Sequence, residues 1–317
     1  MHRNPDPDSL GAAICMKFIL SNKFGIHPTI FLEGEVSHLQ NQTMVNILSI
    51  PLIKVEEYKK DEFDFVIILD TTTKNSFPDE SILTIDHHRS GDSNAANSQI
   101  EEIGSTCTFM WEHMKALNLI ELDEDQSIRT ALVCGIVTDT NFLIEPTVTN
   151  RDQAAYQELV QNVDKKKLDT FLNYPLPTYY FDLERKVFEP DNFIEDDTFF
   201  IGGTGIISDA RRDVIPMIAD RLLRKQGIDT VFIFGIIGTS LVFSVRSKNS
   251  SLDVNTFCQK ATNTKASGGG KQGMGGGRIS LAGIYETTYP DELKAHFWTY
   301  VKGSMFHRVS SLLSGEL

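Results

Sequence analysis

The sequence predicts an α/β protein: a doubly wound, mostly parallel sheet, followed by a second, smaller α/β domain. Two short runs, 63–70 and 82–86, are almost wholly apolar and end in an acidic residue, which is typical of parallel strands buried on both faces. Helical patterns alternate with these runs. Such a sheet binds ligands outside the carboxyl ends of its strands. We therefore expect Asp70 and Asp86, which end the two runs, to lie at a ligand-binding edge.

The length of the chain indicates two domains. The chain has 317 residues, whereas single hydrophobic cores stop growing at about 250–300 residues. Breaks in the apolar periodicity predict a linker over 181–197, between a first domain at 1–180 and a smaller domain at 198–317. With 41% apolar and 23% charged residues, the composition is that of a globular protein and disfavours disorder and coiled coil.

Charge and cysteine usage limit the partners and the compartment. A formal charge of −13 argues against binding to duplex nucleic acid through phosphate contacts. Small nucleotides and short single-stranded oligonucleotides remain open, because bound metal ions add local positive charge. The cysteines form no Cys-x-x-Cys pair, and the sequence shows neither a signal peptide nor a membrane-spanning stretch. We expect a cytoplasmic protein with no membrane partner, and a homodimer is left open.

Apolar periodicity and capping residues predict the remaining elements in order. A helix over 9–24 has Asp8 as its N-cap and Gly25 just beyond its end. The first domain continues with a strand over 29–32, the two runs above, and helices over 105–117, 124–137 and 151–162. For the second domain we expect a strand over 199–202, a helix over 214–225, a hairpin over 230–245, a helix over 252–261, a glycine-rich loop over 268–277, a strand over 279–285 and a helix from Asp291.

The first candidate metal ligands lie at the start of the chain. Two prolines prevent a helix before Asp8 and force a turn in which His2, Asp6 and Asp8 can converge. Imidazole and carboxylate ligands together suit Mn²⁺ better than Ca²⁺, whose sites consist of oxygen atoms. The alternative is that Asp8 only caps the helix and Asp6 is solvated.

Three further segments supply candidate ligands. Asp70 ends the most apolar strand. In Asp86-His87-His88 one histidine is expected to bind metal while the other either supports a metal ligand or contacts substrate, because adjacent side chains of an extended chain diverge. Asp139 follows an apolar helix, where a carboxylate is unfavourable unless a cation compensates it. Loop caps and structural histidines are the alternatives. Two ions about 4 Å apart, bridged by Asp70, can activate water for attack on phosphorus.

The second domain carries candidate phosphate contacts. Seven of the ten residues at 268–277 are glycines, which let backbone N–H groups approach phosphate oxygens, and Lys271 and Arg278 add positive charge. Arg246 can form a bidentate phosphate contact. A mobile surface loop and a solvated strand end are the alternatives. Ser105-Thr106, before an apolar helix, are most simply an N-cap.

These segments, in this order and at these separations, resemble the four motifs of the DHH phosphoesterase family: His2-x3-Asp6-x-Asp8, Asp70, Asp86-His87-His88 and Gly135-Ile-Val-Thr-Asp139-Thr. Arg246-Ser247 and the glycine-rich stretch resemble its DHH-associated C-terminal domain. The resemblance implies a manganese-dependent phosphodiesterase or phosphatase. It also implies one ion on His2, Asp6 and Asp70, another on Asp8, Asp70, His87 and Asp139, catalysis by His88, Asp70 and Asp139, and substrate binding by Arg246, Ser247, Gly268, Gly269, Gly270, Lys271 and Arg278.

Two features depart from the family pattern. Family members have a strand before the first histidine, whereas Met1 directly precedes His2, so we expect a weakened first metal site. Lys271 occupies the place where the family usually has histidine, so we expect an altered substrate preference.

The sequence therefore predicts a hydrolase with two Mn²⁺ ions that cleaves phosphate esters of short oligonucleotides, linear dinucleotides or 3′,5′-bisphosphorylated adenosine. A single-strand exonuclease of the same family is disfavoured by the acidic charge. A catalytically impaired nucleotide-binding sensor is the alternative from another class. Family II pyrophosphatases share the DHH motifs but lack the glycine-rich loop.

Overall fold

The structure, a computed structural model, describes residues 1, 4–71, 82–88, 97–120, 126–264, 267–271 and 273–314. The chain forms two compact units, unit 1 (Met1–Pro175) and unit 2 (Leu176–Leu317). Both combine helices with parallel strand pairs, which confirms the predicted fold class. The range predicted as a linker, 181–197, holds most of a helix and a short strand, both within unit 2.

Unit 1 consists of parallel strands and surrounding helices. Its strands form a two-stranded sheet of order β1-β2 and a three-stranded sheet of order β3-β4-β5, with parallel pairing throughout. The elements are α1 (Pro7–Phe24), β1 (Ile30–Leu32), α2 (Leu39–Leu48), β2 (Leu52–Lys54), β3 (Val66–Leu69), β4 (Ile82–Asp86), β5 (Asn97–Ile100), α3 (Thr106–Ala116), α4 (Gln126–Asp139), α5 (Asn150–Leu159) and α6 (Lys165–Leu172).

The start of α1 differs from the prediction, because the helix begins at Pro7 and its N-cap is Asp6, not Asp8. The Asp6 carboxylate accepts the backbone N–H of Ser9 at 2.9 Å, and Ser9 in turn accepts the N–H of Asp6. Proline suits the first helical position, since its missing N–H has no partner there anyway. Asp8 therefore lies inside the first turn, and it is 1% exposed.

Two glycines let the helices of unit 1 approach one another closely. A Cβ at Gly11 of α1 would lie 2.8 Å from the Cys107 sulfur of α3, and one at Gly135 of α4 would lie 2.5 Å from the same sulfur. A Cβ at Gly135 would also come within 3.0 Å of the Asp8 Cα. This packing brings the N-terminal ends of α1 and α3 to the last turns of α4.

Unit 2 is built on one six-stranded sheet of order β10-β11-β9-β8-β7-β6, in which β7 and β8 are parallel and the other pairs antiparallel. The longest helix, α10, packs its Trp298 and Val301 into the core of this unit. In the described parts of the chain, no helix has the length and apolar character needed to cross a membrane. The elements are α7 (Thr178–Val187), β6 (Phe193–Glu195), β7 (Phe199–Ile207), α8 (Val214–Leu222), β8 (Thr230–Ile237), β9 (Ser240–Ser247), α9 (Val254–Thr262), β10 (Gly268–Lys271), β11 (Met274–Ser280) and α10 (Asp291–Leu313).

The glycine-rich stretch is a β-hairpin and not a loop, and the strand predicted over 279–285 instead ends at Ser280. The glycines of this hairpin leave room for a neighbouring helix. A Cβ at Gly268 would lie 2.4 Å from the Cys258 carbonyl oxygen, and one at Gly275 would lie 2.6 Å from Val254. The glycines therefore allow α9 to pack directly on the hairpin backbone, which apolar alternation cannot reveal.

Candidate metal centre

Four of the predicted ligands converge in unit 1. The His87 Nε2 atom lies 3.1 Å from Asp139 Oδ2, 3.4 Å from Asp70 Oδ1 and 3.7 Å from Asp8 Oδ2. Each side chain comes from a different place in the fold: the first turn of α1, the end of β3, the end of β4 and the last residue of α4. His2 lies outside the described residues. The predicted meeting of strand-end and helix-end side chains is thus present for these four residues.

The ring of His87 is oriented for metal binding. Its Nδ1 lies 3.0 Å from the carbonyl oxygen of Ile103, which can only accept, so Nδ1 keeps its proton and the neutral imidazole has its lone pair on Nε2. Nε2 is buried, and within the described residues no hydrogen-bond partner meets it in good geometry. An imidazole lone pair that faces three carboxylates is a donor set for a divalent transition-metal ion. The residues present therefore fit such an ion.

The N-terminus of α3 holds Asp8. The Oδ1 atom of Asp8 accepts the Ser105 hydroxyl at 2.5 Å and the Cys107 N–H at 2.9 Å, and Oδ2 accepts the Thr106 N–H at 2.8 Å. These groups are completely or almost completely buried. A helix N-terminus stabilises an anion because its first N–H groups lack partners within the helix. The orientation of this carboxylate is thereby fixed.

Asp70 occupies an unusual backbone conformation directly after β3. Its φ of 60° lies in the left-handed region, which Asp tolerates better than most residues other than glycine. Its N–H donates to the Ile85 carbonyl at 2.8 Å, and its Oδ1 accepts the Thr106 hydroxyl at 3.0 Å. Unusual backbone conformations cluster at functional sites. Here the conformation accompanies a carboxylate that is 1% exposed and 3.4 Å from His87.

The charges of the centre call for a cation. Burial and the nearby Asp8 carboxylate raise the pKa of Asp70 to about 8, although His87 opposes this shift. Burial disfavours the charged form of His87, but Asp70, Asp8 and Asp139 outweigh it and raise the pKa of His87 to about 10. The two shifts thus differ in their main cause, which is burial for Asp70 and the surrounding carboxylates for His87. A bound divalent cation would neutralise the same negative charge.

Asp86 orients His88, a role that the sequence analysis did not assign to it. The fully buried Oδ1 of Asp86 accepts the backbone N–H groups of His87 and His88, and it lies 2.7 Å from His88 Nδ1. This hydrogen bond raises the pKa of the half-exposed His88 and so favours its protonated form. His88 is thus placed to hold a proton beside the converging carboxylates.

Asp6 and the pair Ser105-Thr106 complete the surroundings. The charge of Asp6 contributes to the raised pKa of Asp70, so Asp6 lies within electrostatic reach of the centre while its carboxylate also caps α1. Ser105 is the N-cap of α3, as predicted. The sequence analysis missed that the hydroxyls of Ser105 and Thr106 also bind Asp8 and Asp70. Two adjacent hydroxylated residues at a helix start, close in sequence to a histidine pair, are the signal for this role.

Family models match both units. The model of the DHH family N-terminal domain matches residues 1–136, which contain all of these residues except Asp139, and the DHHA1 domain model matches residues 203–295. The chain therefore contains a DHH family N-terminal domain and a DHHA1 domain.

Relatives and solved structures agree with this assignment. The chain is 29% identical over 296 residues to an uncharacterised protein of Methanocaldococcus jannaschii, covering 92% of this chain and 59% of that protein. It is 28% identical over 170 residues to a probable manganese-dependent inorganic pyrophosphatase of Lactobacillus gasseri, covering 50% of this chain and 52% of the relative. The chain thus spans little more than half the length of these relatives. An exopolyphosphatase-related protein from Bacteroides fragilis has the same fold, with a TM-score of 0.66 at 14% identity over 96% of this chain and 92% of its own.

The DHHA1 domain contains the residues predicted to bind substrate, and two of them are engaged within it. The Arg246 guanidinium forms an ion pair with Asp220 and donates to the Ser244 hydroxyl at 2.7 Å. Ser247 is 7% exposed, and its hydroxyl lies 2.8 Å from that of Thr230. Ser247 also accepts the backbone N–H of Asn249 at 3.1 Å, and its contact with substrate stays a prediction.

The other predicted contacts lie along the glycine-rich hairpin. Arg278 is exposed on β11, while Gly268, Gly269, Gly270 and the backbone of Lys271 form β10. Gly269 has the most room of the three glycines, since a Cβ there would meet only the side-chain oxygen of Asn255, at 3.3 Å.

Proposed function

We propose that this protein is a metal-dependent phosphoesterase that hydrolyses phosphate esters of small nucleotides: very short oligonucleotides, linear dinucleotides or 3′,5′-bisphosphorylated adenosine. The observation that carries the proposal is the convergence of Asp8, Asp70 and Asp139 on the Nε2 atom of His87. The matches to the DHH and DHHA1 domain models and the names of the manganese-dependent relatives support it.

Two Mn²⁺ ions are the proposed cofactors. Asp8, Asp70, His87 and Asp139 would hold one ion, and Asp70 would share the second with Asp6 and His2. Mixed imidazole and carboxylate ligands favour Mn²⁺ over Ca²⁺. Such ions lower the pKa of bound water and stabilise negative charge at phosphorus.

His88 supplies the proton in this proposal. When water attacks phosphorus, a phosphorus–oxygen bond forms and the ester bond breaks, so the leaving oxygen requires a proton. Asp86 holds the His88 ring through Nδ1 at 2.7 Å and favours its protonated form. His88 donates that proton to the leaving oxygen, and Asp86 fixes the direction of the ring.

The acidic charge supports a small substrate. A net charge of −13 disfavours long nucleic acid, because sequence-independent affinity requires many Lys and Arg contacts to phosphates. Inorganic pyrophosphate is the second candidate substrate, favoured by the names of the curated relatives. A single-strand exonuclease and a nucleotide-binding sensor without turnover are the remaining outcomes of the test.

The test combines metals with a substrate panel. We expect turnover with Mn²⁺ well above that with Mg²⁺ or Ca²⁺, and loss of turnover in excess EDTA that added Mn²⁺ restores. Dinucleotides, bisphosphorylated adenosine, pyrophosphate and longer oligonucleotides compared at equal concentration separate the candidates. Full activity in excess EDTA would refute the metal mechanism, and nucleotide binding without turnover would indicate a sensor.

A further inference from the structure

Thr106, the first residue of α3, contacts two carboxylates that come from different parts of unit 1. Its backbone N–H donates to Asp8 Oδ2 at 2.8 Å, and its hydroxyl donates to Asp70 Oδ1 at 3.0 Å. Thr106 and Asp70 are buried, as is Asp8. One residue thus links the first turn of α1 to the end of β3.

These two bonds restrict how the carboxylates can turn. An ionised carboxylate only accepts hydrogen bonds, so an oxygen that is already bound by a fixed donor sets the direction of the other oxygen. The branched side chain of threonine has few rotamers, and its burial at the start of a helix restricts it further. The hydroxyl of Thr106 therefore acts as a fixed donor to Asp70.

We infer that Thr106 is a positioning residue of the metal centre: it sets the relative placement of Asp8 and Asp70, and through it the affinity for metal. The inference rests on the proposed function, in which both carboxylates are metal ligands. Hydrogen bonds to metal-binding carboxylates typically change metal affinity or activity by about 10- to 100-fold when they are removed.

Thr108 offers a matched control in the same helix. It is also buried, and its hydroxyl donates to Asp152 Oδ1 at 2.7 Å. Asp152 receives further hydrogen bonds from Gly104 and Thr149 and caps α5. Replacing Thr108 with Val removes the same kind of buried hydrogen bond to a carboxylate, but not one that reaches Asp70 or Asp8.

The experiment measures Mn²⁺ binding by calorimetry and thermal unfolding without metal for the wild type and for Thr106→Val, Thr106→Ser and Thr108→Val. We expect Thr106→Val to weaken Mn²⁺ binding by about 10- to 100-fold, while Thr106→Ser retains it because the hydroxyl remains. Thr108→Val should lower the unfolding temperature of the metal-free protein and leave the Mn²⁺ affinity unchanged. If Thr106→Val does not fold, Thr106→Ala replaces it, with the same expected loss.

The outcomes separate this inference from the proposed function. Wild-type affinity in Thr106→Val, with normal Mn²⁺ binding by the wild type, would overturn the positioning role alone. Equal weakening in Thr108→Val would show a general structural effect and would also overturn it. A wild-type protein that binds no Mn²⁺ would overturn the proposed function itself.

Discussion

The two units differ in the kind of polar residue that they bury. The buried charged residues of the described chain all belong to unit 1, and the buried polar residues described in unit 2 are uncharged. A buried charge is costly unless it is paired or binds a cation. The buried carboxylates around His87 are therefore the part of the described chain where burial costs the most free energy and where a bound cation would recover the most. The charged set is Asp8, Asp70, Asp86, Arg129 and Asp152; the uncharged set is Asn192, Thr204, Thr230, Ser244, Ser247, Thr262 and Ser311.

The two units also differ in how their strands are connected into sheets. Unit 2 has one continuous six-stranded sheet, whereas in the described residues of unit 1 the strands β1 and β3 belong to separate sheets. The described strands of unit 1 are thus divided between two short sheets, so fewer backbone hydrogen bonds connect them to one another. We therefore expect unit 1 to open locally at a lower free energy than unit 2.

The largest expected effect comes from removing the central charge of unit 1. Asp70→Asn should lower turnover by several orders of magnitude, because a carboxylate shared by two ions has no substitute. The metal-free protein should unfold at least as late as the wild type, since the pKa of about 8 shows that Asp70 is costly to bury in ionised form and must take up a proton on folding at neutral pH, and since Asn avoids this cost and tolerates the left-handed φ of 60°. Steady-state kinetics and denaturant unfolding measure both effects. A folded variant that keeps a tenth of wild-type turnover would contradict the assignment of Asp70.

The sequence predicted this cluster of buried side chains only where the order of strands and helices determines which residues meet. The strand over 82–86 was predicted correctly, and the meeting of Asp70 with His87 follows from the rule that parallel strands end at one edge of a sheet. Asp139 was predicted from a different signal, a carboxylate at the C-terminal end of a helix. The role of Asp86 was missed because it depends on a hydrogen bond between neighbouring side chains that sequence spacing does not reveal. Which of these side chains bind ions stays a prediction.

In unit 2, sequence patterns failed to predict two strands of the sheet. The strands β10 and β11 were missed because glycines carry no apolar alternation, and their pairing depends on β9 and on close packing against α9.

In unit 1, the start of helix α1 was predicted two residues too late because both Asp6 and Asp8 are good N-caps. The choice between them depends on the contacts of Asp8 with α3.

The second prediction concerns the effect of Mn²⁺ on the local stability of each unit. A ligand that binds only the folded state stabilises it by about 2.7 kcal/mol at a hundred times its Kd. We therefore expect Mn²⁺ to slow amide hydrogen exchange in α1 and α3 of unit 1 and to leave exchange in β8 and β9 of unit 2 unchanged. Mass spectrometry of exchange with Mn²⁺ and with EDTA measures this. Equal protection of both units would contradict a metal centre that belongs to unit 1.

A smaller effect tests whether the glycines of unit 2 are there for packing. In Gly268→Ala the new Cβ would lie 2.4 Å from the Cys258 carbonyl oxygen, and forcing extra volume into a packed site costs about 1–3 kcal/mol. Gly269→Ala is the control, because its Cβ would meet only the movable side chain of Asn255, at 3.3 Å. Denaturant unfolding should show a loss for Gly268→Ala alone. If both variants unfold like the wild type, packing does not explain Gly268.

The smallest expected effect concerns the positive charge of Lys271 in unit 2. Lysine has an ordinary pKa of about 10.4 and stays cationic at neutral pH, and its flexible ammonium can follow a terminal phosphate without orienting a base. We expect Lys271→Ala to raise the KM for a dinucleotide with a terminal phosphate by about two- to five-fold, the range of an exposed ion pair. The kcat should change little, because an interaction present equally in the ground and transition states affects only KM. The same dinucleotide without its terminal phosphate is the control and should have the same KM in both proteins. An unchanged KM for the phosphorylated substrate would show that Lys271 does not contribute to binding of the terminal phosphate.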